Sequence, residues 1–96
     1  MPRDKVTDSQ LQEHLTAHPE WSVKDGALYR ELSFPDFVSA FGFMASAALV
    51  AERMNHHPDW SNVYGTVKVS LSTHDAGGIT ASDLELSAAM DELAKT

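Results

Sequence analysis

The sequence predicts an α+β two-layer sandwich, a four-stranded antiparallel sheet with three helices on one face, in the order α-β-β-α-β-β-α. Three observations predict it. Two turn signals, Asp25-Gly26 and Gly65, each sit between short strand-like runs, as hairpins require. The long apolar run from Phe37 to Ala51 has helical rather than alternating spacing. The chain also echoes itself, because one shift lays His18-Pro19-Glu20-Trp21-Ser22 on His57-Pro58-Asp59-Trp60-Ser61, Gly26 on Gly65 and Glu13 on Glu52.

Each element has its own local reason. A first helix is expected from about Thr7 to Ala17, with Thr7 or Asp8 as N-cap and Leu11, His14, Leu15 and Ala17 along one side. His18-Pro19 stops it, since the residue before a proline is pushed out of the helical region. Trp21 to Lys24 and Ala27 to Leu32 then pair around Asp25-Gly26, which tolerates the positive φ angles of a tight turn. The alternation there is imperfect, with Arg30 on the same face as Leu28 and Leu32. Ser33 and Asp36 resemble a capping arrangement with Pro35 in the first turn, so the second helix is expected from about Phe34 to Asn55 or His56, ended by Pro58. Phe37, Phe41, Met44, Ala48 and Ala51, widened by Phe34, Val38 and Ala45, are its expected core stripe. Ser61 to Tyr64 and Val67 to Thr73 form the second hairpin, in which Val67, Val69 and Leu71 alternate strictly with Lys68, Ser70 and Ser72. After the loop from Asp75 to Gly78, Thr80 or Ser82 caps a last helix carrying Leu84, Leu86, Met90 and Leu93.

Composition narrows the class. Ninety-six residues, 43% of them apolar, suit a single domain, 1–96, near the lower limit for a self-sufficient core. A formal charge of −7 without a basic patch argues against direct nucleic-acid binding and against anionic membranes. Without cysteine there is no disulfide, thiolate nucleophile or cysteine-based zinc site. The opening MPRDKVTDSQ has no apolar signal core. The run Phe37 to Ala51, broken by Ser39, Gly42 and Ser46, falls short of the ~20 residues a membrane span needs. A soluble protein is expected, and the open sheet edge leads us to expect a homodimer or homotetramer.

The echo lets the sequence act as its own control. The first copy has Ala17 where the second has His56, and Pro35 where the second has His74, so these two histidines are not needed for the helix stop and strand entry. Glu52 and His56, four apart on one helix, are expected to meet, with His56 in the last turn where the macrodipole favours an imidazolium. His57, ejected by Pro58, points elsewhere, and His74 is expected to return beside the pair from the end of the fourth strand. Three readings are open for this group: polar helix-end and loop residues, a metal site of His, His and Glu, or metal-free acid-base chemistry. His14 and His18 on the first helix are expected to be solvated, and Asp83 to serve the first turn of the last helix.

Glu52-x3-His56-His57-Pro58, Tyr64, His74 and Asp83 together resemble the signature of the pterin-4a-carbinolamine dehydratase family. The likeness extends through Phe41-Gly42-Phe43-Met44, Asp59-Trp60, Asn62-Val63-Tyr64, Leu71-Ser72-Thr73-His74 and Gly77 to Asp83. The resemblance implies a cytosolic dehydratase of tetrahydrobiopterin recycling that removes water from a 4a-hydroxytetrahydropterin and needs no cofactor or metal. It makes His56, His57 and His74 the active-site histidines, with Glu52 as a buried supporting carboxylate. It also implies a pterin pocket shaped by those histidines with Pro58, Trp60, Thr73, Asp75 and Ala76. A second role comes with it, since some members bind a protein partner, a transcription factor or a hydroxylase, rather than DNA.

Overall fold

The computed structural model describes residues 4–95; residues 1–3, in the segment read for a signal core, and residue 96 lie outside it. The elements are α1 (Asp8–Ala17), β1 (Ser22–Lys24), β2 (Ala27–Ser33), α2 (Phe37–Met54), β3 (Asp59–Val63), β4 (Thr66–Leu71), a 3-10 turn (His74–Ala76) and α3 (Ala81–Ala94). The order matches the sequence reading. Thr7 caps α1 in a reciprocal box with Gln10, at 3.1 and 2.8 Å, so two otherwise orphaned N–H groups are satisfied. The first hairpin turns through Asp25 and Gly26, both at positive φ (52° and 78°). In the second it is Tyr64 that takes the positive φ, 51°. Gly65 is required for another reason. Phe34 N–H donates to the Gly65 carbonyl at 2.7 Å, and a Cβ there would lie 2.4 Å from the Phe34 carbonyl oxygen.

The sheet is antiparallel throughout, in the order β1-β2-β4-β3. The register pairs Leu28 with Leu71, Arg30 with Val69 and Leu32 with Val67, which puts one apolar row from each central strand on the same face. Leu28, Leu32, Val67, Val69 and Leu71 are buried there in one cluster with Ala40, Phe43, Ala47 and Ala51 of α2 and Leu86 and Met90 of α3. Leu11 and Leu15 of α1 pack against the same cluster. All three helices therefore lie on one face, as expected. The other face presents Tyr29, Glu31, Lys68 and Ser70, half-buried or exposed.

The start and the buried face of α2 differ from the sequence reading. The helix starts at Phe37 rather than Phe34, because Asp36, not Ser33, is the N-cap and accepts the Ser39 N–H at 2.7 Å. That bond holds the Asp36 carboxyl below its ordinary range. The buried face is also rotated by roughly a quarter turn from the expected stripe. Ala40, Phe43, Ala47 and Ala51 are buried, whereas Phe37, Val38, Phe41 and Leu49 are exposed, Val38 by 78% and Leu49 by 73%. A helix apolar on almost every side has no periodic signal to say which side faces the core. Its 18 residues and mean hydropathy of 1.3 are those of a short membrane span. Here one side packs on the sheet instead.

The imperfect alternation in β2 has a purpose. Arg30 reaches from the core face to Asp91 of α3 at 2.5 Å, and the same carboxylate accepts from Trp21 Nε1 and His18 Nδ1, both at 2.7 Å. His14 stacks on His18 with ring centroids 4.5 Å apart and meets Ser87 Oγ at 2.7 Å. Neither histidine is simply solvated, contrary to the sequence reading. They fasten α1, which has no fully buried residue of its own, to α3. Asp91→Ala leaves a largely buried guanidinium without its counter-charge and is expected to cost about 3 kcal/mol, read as a lower urea midpoint.

Burial, and then the neighbouring His18, push the His14 pKa below its ordinary 6.5, with Asp91 opposing them. The folded protein therefore binds this proton less readily than the unfolded chain. The His14 contribution is present above pH 6.5 and declines as pH falls below it. The unfolding free energy of wild type should drop more steeply than that of His14→Gln over that acidic window; parallel curves would refute this.

Candidate active site

Three chain segments that are distant in sequence converge on one carboxylate. The first follows α2, where Asn55 adopts the left-handed conformation (φ 53°, ψ 43°) and ends the helix. The His56 N–H closes the end by donating to the Ala51 carbonyl at 2.9 Å. The second follows β4, where Thr73 bridges to Gly78 and leads into the 3-10 turn that carries His74. The third is the start of α3, where Asp83 sits in the first turn and accepts the N-cap Thr80 N–H at 2.9 Å.

Asp83 is the centre of the group and is fully buried. Its Oδ1 lies 2.5 Å from His56 Nε2, and its Oδ2 accepts from Thr73 Oγ1 at 2.9 Å as well as from Thr80 N. Thr73 and Thr80 are buried too, with their hydroxyl oxygens 2.7 Å apart. A carboxylate removed from water survives as an anion only with such donors, and here it has one charge-capable donor and two neutral ones. His56 itself is 14% exposed, so one side of its ring is held from within and another remains open.

This geometry corrects the expected pairing. His56 lies beyond the end of α2, not in its last turn, so it is not on the Glu52 face. Glu52 is not buried. It is 79% exposed and binds His57 Nε2 at 2.8 Å, where His57 is itself 62% exposed. Solvent screens that pair, so it orients the ring more than it stabilises the fold. The supporting carboxylate of His56 is Asp83, for which the sequence predicts only service in the first turn of the last helix. The Thr80-x2-Asp83 spacing reveals the cap. Nothing local reveals the second bond, because its partners are 27 residues apart.

The remaining expected site residues are distributed as follows. His74 is exposed on the 3-10 turn, beside Thr73, so its backbone is tied to the same buried carboxylate as His56. Pro58 is half-buried between the histidines and β3. Trp60, half-buried, lies opposite Val69 on the core face of the sheet and packs against the core. Asp75 is exposed and Ala76 half-buried on the 3-10 turn. Thr73 is buried and points its hydroxyl at Asp83. Among the described residues no three His, Asp or Glu side chains converge as metal ligands. The arrangement can hold and move protons, since it couples imidazoles to carboxylates of contrasting exposure.

Comparison with known proteins gives the same picture over nearly the whole chain. A family profile described as pterin 4 alpha carbinolamine dehydratase matches residues 4–93. A Solibacter usitatus protein is 53% identical over 90 residues, covering 94% of this chain and 95% of its own. One from Bradyrhizobium diazoefficiens is 51% identical over 94 residues, covering 96% and 94%. Both carry names that assign them provisionally as pterin-4-alpha-carbinolamine dehydratases. A Brucella melitensis crystal structure described as a transcriptional coactivator/pterin dehydratase superposes with a TM-score of 0.91 at 42% identity, covering 95% of this chain and 99% of the other. With that fold, that carboxylate-held histidine and these relatives, the chain belongs to the pterin-4-alpha-carbinolamine dehydratase family.

Proposed function

We propose that this protein is a cytosolic hydro-lyase that converts a 4a-hydroxytetrahydropterin to the quinonoid dihydropterin and water, in tetrahydrobiopterin recycling. The observation that carries the reading is the imidazole–carboxylate pair of His56 and buried Asp83, beside the exposed His57 and His74. The chemistry asks for one acid and one base. A proton is delivered to the 4a-hydroxyl, the C4a–O bond breaks, and water leaves. The N5 lone pair forms the N5=C4a bond, and the N5 proton passes to a base, so the proton donated is balanced by the proton returned. His56 or His74 donates and another histidine accepts, while Glu52 orients His57. Pro58, Trp60, Asp75 and Ala76 flank the pterin, and Thr73 acts from behind through Asp83. Neither a metal nor a redox cofactor enters these steps.

His56→Ala and His74→Ala, assayed separately on synthetic carbinolamine, are each expected to lower kcat by about a hundredfold. A chelator should leave the wild-type rate unchanged. Wild-type rates in both variants would remove the assignment, and a chelator-sensitive rate restored by zinc would replace it with metal chemistry.

A second, protein-binding role is favoured by the exposed apolar residues of α2, Phe37, Val38, Phe41 and Leu49, and by the coactivator description of the Brucella melitensis structure. The same residues are our proposed contact in a homodimer or homotetramer. Light scattering on wild type should give a mass above that of one chain, and Val38→Glu with Phe41→Glu should reduce it. An unchanged mass would show that copies meet elsewhere.

A further inference from the structure

The direction of every hydrogen bond around Asp83 can be fixed by counting protons. An ionised carboxylate only accepts, so His56 must donate from Nε2 and Thr73 from its hydroxyl. A hydroxyl has a single proton, and that of Thr73 is spent on Asp83 Oδ2. The 2.7 Å contact between the two threonine hydroxyls therefore runs from Thr80 to Thr73. The result is a one-way chain, Thr80 Oγ–H to Thr73 Oγ–H to Asp83, which meets Nε2–H of His56 on the other carboxylate oxygen. Among the described residues no hydrogen bond reaches Nδ1 of His56.

We propose that Thr73 and Thr80 are positioning residues that, through Asp83, lock His56 in its Nε2–H tautomer, so that Nδ1 is the nitrogen exchanging a proton with the substrate. This rests on His56 being a proton-transfer group of the reaction proposed above, and it adds which nitrogen acts and what holds it there. The hydroxyl of Thr80 has no exposure; its oxygen accepts the Asp83 N–H in the capping box of α3, which leaves its proton for Thr73. Without the Thr73 hydroxyl, Asp83 Oδ2 keeps only the Thr80 N–H, and the carboxylate can rotate away from the geometry that favours Nε2–H. Without the Thr80 hydroxyl, Thr73 keeps its bond to Asp83 but loses the donor that fixes its rotor.

The effects should be graded. Thr73→Val retains the side-chain shape without the hydroxyl and is expected to lower kcat about tenfold, with Thr80→Val lowering it less, about threefold. KM should stay within about twofold in both, since neither hydroxyl faces the open side of His56. Thr73→Ser and Thr80→Ser should restore the wild-type rate. The readout that separates positioning from mere stability is the imidazole 15N spectrum of ligand-free protein at a pH where the ring is neutral. His56 of wild type should show a protonated Nε2 and an unprotonated Nδ1, and Thr73→Val a mixture. An Nδ1–H tautomer in wild type would overturn the inference even if no valine variant folds, as would valine variants with unchanged tautomer and unchanged kcat. Should the tautomer be as stated while His56→Ala retains full activity, the locking would stand and the proton-transfer reading of His56 would fall.

Discussion

A carboxylate with no access to water, Asp83, must find all of its hydrogen-bond partners inside the protein, and the arrangement of the molecule around the site follows from that need. Leaving such a charge unpaired costs several kcal/mol, on the order of 3–5 for a buried pair that loses one partner. The donors come from the end of α2, the end of β4 and the N-cap of α3, so the constraint cannot be met until all three segments are in place. The residue that orients His56 is therefore also a tether of the fold. Stability and the proposed chemistry draw on the same bonds.

A second carboxylate on α3 repeats the device for the other half of the chain. Asp91, about two turns beyond Asp83, gathers His18, Trp21 and Arg30, and Ser87 between them holds His14. The internal echo acquires a structural meaning here. Each helix–hairpin half ends its helix near a histidine, and α3 offers a carboxylate to each. The halves differ in how the helix ends. In the first, Ala17 is still helical and His18 is the C-cap. In the second, Asn55 turns left-handed one residue before His56, which frees that ring to reach Asp83.

The apolar surface is distributed in a way that a small domain imposes. A layer of three helices on a four-stranded sheet can cover one side of α2, and the phase of that helix is chosen by what the sheet can accommodate. Small residues, Ala40, Ala47 and Ala51, face the sheet and allow close approach, with Phe43 filling the space between. Larger ones, Phe37, Phe41 and Leu49, are left outside. The far face of the sheet is polar enough to meet water, with Glu31 opposite Lys68 across the ladder.

Local sequence determined what local chemistry can determine. Asp25-Gly26 dictated a tight turn, the alternation from Val67 to Leu71 dictated a half-buried strand, and Thr7 and Thr80 dictated helix starts, because φ/ψ preference, side-chain period and capping act over a few residues. The comparison of the two copies also singled out His56, and the spaced signature pointed to the family, with Asp83 in it. Tertiary structure alone decided which side of α2 is buried, that Glu52 serves His57 rather than His56, that His14 and His18 fasten α1 to α3, and that Asp83 holds His56. These are choices of partner between groups far apart in the chain. They are settled by which polar atoms are buried together once the layers pack, and no spacing within a helix or strand contains that information.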